Sequence, residues 1–151
     1  MIKPAHAIDI LLLEDEAADA YLVKMAFKEN KLLACLHHVI DGRDGLDFLH
    51  KKGAYSTSPR PDLILLDLNM PRMNGYEFLA AIKSDERFKG IPVVVLSTSD
   101  TENDVLASYQ LGVASYITKP VGIKQFIEII NKLGEYWLEV VCLPSRYQYE
   151  G

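Results

Sequence analysis

A three-layer α/β fold with a five-stranded parallel sheet in the flavodoxin-like order 2-1-3-4-5 is what this sequence predicts, and three observations carry it. The runs Leu63-Ile64-Leu65-Leu66 and Val93-Val94-Val95-Leu96 are aliphatic throughout, without the polar alternation of a strand that has one wet face. Such strands are buried on both sides, as in parallel sheets. Each short apolar run is followed by apolar residues at helical spacing, and this strand-then-helix unit occurs five times. That alternation implies right-handed crossovers with helices on both faces. Finally, the runs end in polar groups: Glu14-Asp15-Glu16 after the first, Asp67 after the third and Ser97-Thr98-Ser99-Asp100 after the fourth. Open α/β sheets place their ligands outside the carboxyl ends of the strands, so these groups are the first candidates for chemistry.

Size and charge narrow the choice. A chain of 151 residues, 49% hydrophobic, suits one domain with a core that needs no disulfide or metal staple. The net charge of -5, from 21 acidic and 16 basic residues, supplies no basic field, so no nucleic-acid partner is expected. Cys35 and Cys142 are far apart and lack metal-site spacing, which suits ordinary thiols in a reducing compartment. No secretory signal and no membrane-length apolar run is present, so a soluble cytoplasmic protein without a membrane partner is expected.

In chain order, residues 1–7 read as a loose arm containing Pro4, and Ile8-Asp9-Ile10-Leu11-Leu12-Leu13 as the first strand. Ala18, Tyr21, Leu22, Met25 and Ala26 then form a helical stripe. His37-His38-Val39-Ile40 reads as the second strand, and Asp41-Gly42 as the turn into a helix with Leu46, Phe48 and Leu49. Neighbouring strand residues face opposite ways, so His37 and His38 cannot easily share a metal ion. Residues 54–61 form a loop to the central strand, and Tyr76, Leu79, Ala80 and Ile82 follow Gly75 at helical period. After the fourth strand, Asp100 or Thr101 could cap a helix through Val105, Leu106 and Tyr109 that Gly112 closes. Residues 114–118 are short and suit an edge strand, followed by Lys119-Pro120 and a final amphipathic helix from about Gly122. Its stripe of Phe126, Ile127, Ile130, Leu133, Trp137 and Val141 predicts a helix of roughly twenty residues if Gly134 does not break it. The expected organisation is therefore an arm over 1–7, a domain over 8–134 and a helical extension and tail over 135–151. A helix that long overhangs the sheet. It would leave Trp137, Leu138, Val140 and Val141 as an apolar patch for a two-fold homodimer, the alternative being a tail that folds back over its own core.

The 2-1-3-4-5 order sets the first, third and fourth strands side by side, so Glu14, Asp15, Asp67 and Ser97 converge on one rim, with Lys119 able to reach in. Crowded carboxylates are relieved by protonation or by a cation. A hard oxygen set of this size suits Mg²⁺, with the Asn69 backbone carbonyl available to complete the shell. Lys119 and Ser97 add a fixed ammonium and a hydroxyl, which makes Asp67 an acyl-phosphate acceptor.

Glu14-Asp15, Asp67 within LLDLNMPRMNG, Ser97, Tyr116 and Lys119-Pro120 together resemble the receiver domain of two-component response regulators, over about residues 8–134. The resemblance implies that a histidine kinase's phosphohistidine donates to Asp67, that Asp15 and Asp67 bind Mg²⁺ with Glu14 assisting, and that Ser97 and Lys119 contact the phosphoryl group. It also implies a cis Lys119-Pro120 peptide and a switch in which Ser97 is drawn to the phosphoryl group while the Tyr116 ring turns. A receiver of this kind is not an enzyme beyond its own phosphorylation and dephosphorylation. The tail from Glu135 to Pro144 resembles that of small regulators serving phytochrome-type histidine kinases, with no attached output domain. Two rivals fare worse. A haloacid-dehalogenase-type phosphatase needs an acid where Asn69 stands, and a flavodoxin-like cofactor binder would meet repulsion from Glu14-Asp15-Glu16.

Overall fold

The computed structural model describes residues 7–29 and 33–146. Five strands, β1 (Ile8–Leu13), β2 (Ala34–Val39), β3 (Leu63–Leu66), β4 (Val93–Ser97) and β5 (Ser115–Thr118), alternate with five helices. These are α1 (Ala17–Glu29), α2 (Gly42–Leu49), α3 (Gly75–Lys83), α4 (Glu102–Gln110) and α5 (Ile123–Glu135). The sheet is parallel throughout in the order β2-β1-β3-β4-β5, as the sequence predicts. No described helix is long and apolar enough to cross a membrane.

Two cores explain why β1, β3 and β4 are apolar on both faces. Leu11, Leu13, Ile64, Leu66, Val93 and Val95 point to one side, against Phe48 of α2 and Phe78, Leu79 and Ile82 of α3. The intervening Ile10, Leu12, Leu63, Leu65, Val94 and Leu96 point to the other, against α1 and the Phe126, Ile130 and Leu133 stripe of α5. The period of two feeds both layers at once. Caps fix where the helices start: Asp41 accepts from the Asp44 N–H at 2.9 Å, Asn74 and Glu77 form a capping box, and Thr101, not Asp100, accepts from the Asp104 N–H at 3.3 Å.

β2 starts at Ala34, three residues before the expected His37, and ends at Val39. The reason is register: six residues of β1 pair in order from Ile8 with Ala34 to Leu13 with Val39, so the partner sets the length. The two histidines do face opposite ways. His37 Nε2 lies 3.0 Å from Asp9 Oδ1 with its ring against Phe48, whereas His38 Nε2 donates to the Glu14 carbonyl at 2.7 Å.

Two expectations are corrected. Among the described residues no peptide bond is cis, so Lys119–Pro120 is trans, the isomer that X–Pro bonds favour by about 0.5–1 kcal/mol. At the C-terminus the helix does pass a buried Gly134, then widens into a π turn over Tyr136–Val140, and Val141 leaves it in an extended conformation. Leu143 folds back to 1% exposure in the α1/α5 core, and Trp137, Leu138 and Val141 pack against the same core. Of the four residues expected to form an exposed patch only Val140, 68% exposed, points away. Burying the others within the chain removes their apolar surface from water without the entropy cost of association.

Candidate functional site

Three strands deliver the rim. At the end of β1 the Glu14 N–H donates to the Val39 carbonyl at 3.0 Å while His38 holds its carbonyl, so the first acid is fixed by β2 from both sides of its peptide. At the end of β3 the Asp67 N–H donates to the Leu13 carbonyl at 3.0 Å, placing Asp67 beside Glu14, and Asp67 Oδ1 accepts from the Asn69 N–H at 3.2 Å. Glu14 and Asp67 are buried, Asp15 is exposed, and each can present an oxygen within 4.8 Å of the others'. These three acids can hold a divalent cation.

Lys119 enters from beyond β5, anchored by its N–H on the Ser97 carbonyl at 2.7 Å. Its buried ammonium donates to Glu14 and, at 2.9 Å, to Asp19 Oδ2, and lies 3.5 Å from Asp67 Oδ2. Asp19 is an addition to the residues named from sequence. It lies in the first turn of α1, just after the acids that end β1, and meets Lys119 across 100 residues of sequence.

Electrostatically the rim is short of positive charge, since one ammonium serves Glu14, Asp19 and Asp67 with Asp15 alongside. Burial, then the hydrogen bond and charge of Asp67, push Glu14 up to about 8 against the pull of Lys119. Burial alone would lower Lys119, but bonds to Glu14 and Asp19 and the charge of Asp67 hold it above its ordinary value. A carboxyl that resists ionisation beside another carboxylate is what a hard cation relieves, so the donor set fits a divalent metal.

Ser97 is fully buried, its Oγ accepting from the Ser99 N–H at 3.3 Å. Tyr116 on β5 is half-buried and donates its hydroxyl to the Ser99 carbonyl at 2.7 Å, so both expected switch residues bear on one loop. Cys35 and Cys142 are free thiols away from the rim.

The loop after Asp67 is pinned by a long-range contact between Arg72 and the start of α2 that no sequence pattern marks. Arg72, in the left-handed region at φ 58, donates through Nε to the buried Asp41 Oδ2 at 2.5 Å and through Nη2 to Asp44 Oδ1 at 3.1 Å. Burial would raise Asp41, but the Arg72 guanidinium and the α2 backbone N–H groups hold it below the usual carboxylate range. Gly75 closes the loop where a Cβ would stand 2.6 Å from both the Asp67 carbonyl oxygen and the Leu68 Cα. Those are backbone atoms of the segment that carries the acid, so Gly75→Ala should destabilise the protein by about 1–3 kcal/mol in urea unfolding. An unchanged midpoint would mean that α3 can retreat freely.

A doubly wound sheet with an acid trio, a buried lysine and a serine gathered at the carboxyl ends of β1, β3, β4 and β5 defines a receiver-type domain. The chain belongs to the response regulator receiver domain family, whose family model matches residues 10–131. Response regulator Rcp1 of Synechocystis sp. is 46% identical over 136 residues, covering 90% of this chain and 92% of that protein. The Mn(2+)-bound crystal form of Rcp1 superposes with a TM-score of 0.87 at 45% identity, over 91% of this chain and 99% of that one. The phosphorylated cyanobacterial phytochrome response regulator RcpA superposes equally well, at 0.87 and 43% identity over 91% and 99% of the two chains.

Proposed function

We propose that Asp67 accepts a phosphoryl group from the phosphohistidine of a sensor histidine kinase, with Mg²⁺ held by Glu14, Asp15, Asp67 and the Asn69 carbonyl. The observation that carries this is the placement of Asp67: a buried carboxylate 3.5 Å from the Lys119 ammonium, beside two further acids. An Asp67 carboxylate oxygen attacks phosphorus; the O–P bond forms as the P–N bond breaks, and the bonding pair returns to the imidazole. Bound Mg²⁺ would supply charge neutralisation at the phosphoryl oxygens. Lys119 offers its ammonium to the same oxygens, and burial strengthens that attraction. Intact mass after acetyl phosphate and Mg²⁺, with EDTA as the opposing arm, tests the assignment. Equal labelling in EDTA would defeat the metal's role.

The readout is a rearrangement of Ser97 and Tyr116. At rest Ser97 Oγ accepts from the Ser99 N–H. A phosphoryl group on Asp67 offers strong acceptor oxygens, toward which the Ser97 hydroxyl turns to donate, and Tyr116, tied to the same loop, follows. The similarity to Rcp1 and RcpA over about nine-tenths of the chain, and the phytochrome named for RcpA, support a phytochrome-type kinase as partner.

Signalling proceeds by association of the domain over 8–134 with its 135–151 extension, as a homodimer through the α4, β5 and α5 face. Leu106 and Tyr109 of α4, with Tyr136 and Val140, are large exposed apolar or aromatic groups that support this face. Truncation after Gly134 would also strip Leu143 from the core, so Val140→Glu is the cleaner test. Sedimentation should report association weakened about tenfold in Val140→Glu, with and without phosphodonor. Parental association would place the interface elsewhere.

A further inference from the structure

Away from the acid rim, one carboxylate gathers hydroxyls from two separate elements. Asp104, in the first turn of α4, accepts the Tyr76 hydroxyl of α3 on Oδ1 and the Ser99 hydroxyl of the β4–α4 loop on Oδ2. Its N–H donates to Thr101 Oγ1 at 3.3 Å and its carbonyl accepts from Ser108 Oγ at 2.8 Å, so its place on α4 is fixed as well. Ser99 is in consequence held at three points. Its hydroxyl is on Asp104, its carbonyl takes the Tyr116 hydroxyl at 2.7 Å, and its N–H reaches Ser97 Oγ at 3.3 Å.

The geometry points to Asp104, braced by Tyr76, as a positioning residue that keeps the β4–α4 loop, and Ser97 with it, in the resting arrangement until Asp67 is phosphorylated. This rests on the reading of Asp67 and Ser97 given above. Movement of the Ser97 oxygen toward a phosphoryl group must release the Ser99 N–H or carry it along, and motion of Ser99 toward the rim stretches its bond to Asp104. Were α4 the carboxylate's only anchor, its side chain could follow the loop; the Tyr76 hydroxyl on a different helix prevents that. A contact stronger in the resting than in the active arrangement biases the population toward rest, and removing it shifts the balance the other way. The bonds from Ser99, Tyr76 and Thr101 hold the Asp104 carboxyl below its ordinary value, so it accepts as a carboxylate throughout the neutral range.

Tyr76→Phe and Ser99→Ala each delete one hydroxyl and no charge, and both leave the Ser99 backbone contacts in place. The rate of labelling at Asp67 by acetyl phosphate with Mg²⁺, followed by intact mass, should rise roughly threefold to tenfold in each. In an Asp104→Ala background, which should itself be fast, neither substitution should accelerate labelling further, because all three act through one carboxylate. A merely structural network would lower the melting temperature of the variants and leave the labelling rate alone. Parental or slower rates in both single variants, or undiminished acceleration in the Asp104→Ala background, would overturn the inference. Failure of the underlying assignment looks different: the parent itself would then take up no phosphoryl group that Asp67→Asn prevents.

Discussion

Asp67→Asn should take up no phosphoryl group and yet, without metal, should resist urea better than the parent. The first half follows from nucleophilicity, since an amide oxygen has no anionic pair to offer phosphorus. Labelling should fall at least a thousandfold, roughly the loss when a covalent nucleophile is removed. The second half follows from charge. Asp67 is one of the causes that push Glu14 up to about 8, so losing its carboxylate relieves Glu14 while the amide oxygen can still accept from the Asn69 N–H. A gain of about 1 kcal/mol is expected, the size of one pKa unit restored. It would be one more case of a functional site kept at some cost in stability. Short exposures to acetyl phosphate read by intact mass, with urea unfolding in EDTA, check both halves. Parental labelling would move the acceptor elsewhere. A variant less stable than the parent would mean that the Lys119–Asp67 attraction outweighs repulsion between the acids.

How much of this was legible in the sequence depends on how local each signal is. Leu63–Leu66 is buried at every position and reads as a central strand without any partner in view. Ala34, Cys35 and Leu36 at the start of β2 are only half-buried on an edge strand, so their weak pattern gives way to a register that β1 dictates. Glu14, Asp15, Asp67, Ser97 and Lys119 were legible because each ends or follows a strand, and parallel topology carries strand ends to one rim. The contacts that hold the rim were not. Asp19 meets Lys119 across 100 residues, Arg72 meets Asp41 across 31, and Tyr76 meets Asp104 across 28, with no periodicity to link them. For the tail, helical spacing through Trp137 and Val141 favours an overhanging helix over the alternative of a chain folded back on its core. A π turn and one apolar residue beyond the pattern, Leu143, sent it back onto the core.

Lys119→Met should cost the metal-free protein about 3–5 kcal/mol near neutral pH and above, because the buried carboxylates it serves lose their counter-charge while the apolar stem is kept. The loss should depend on pH in a definite direction. Glu14 has an ordinary value of 4.5 and is held at about 8 in the folded parent, so between those values the folded chain keeps a proton that the unfolded chain releases. Stability linked to that proton is fully present below 4.5 and lost as pH rises through about 8, at up to about 1.4 kcal/mol per pH unit. Lys119 opposes the rise in Glu14, so without it Glu14 binds its proton more tightly and the decline extends to higher pH. Through that proton, parent and variant should lose stability in parallel between 4.5 and about 8 and diverge above about 8, where only the variant's decline continues. Mg²⁺ should narrow the gap by mass action, since the same oxygens then bind a cation in place of the ammonium. Phosphoryl transfer should stay impaired even when Mg²⁺ is saturating, because the ammonium near Asp67 is a separate source of positive charge from the metal. Coincident unfolding curves for parent and variant from below 4.5 to above 8 would show that the Lys119 ammonium contributes nothing net to the fold. Parental labelling in saturating Mg²⁺ would remove Lys119 from the chemistry.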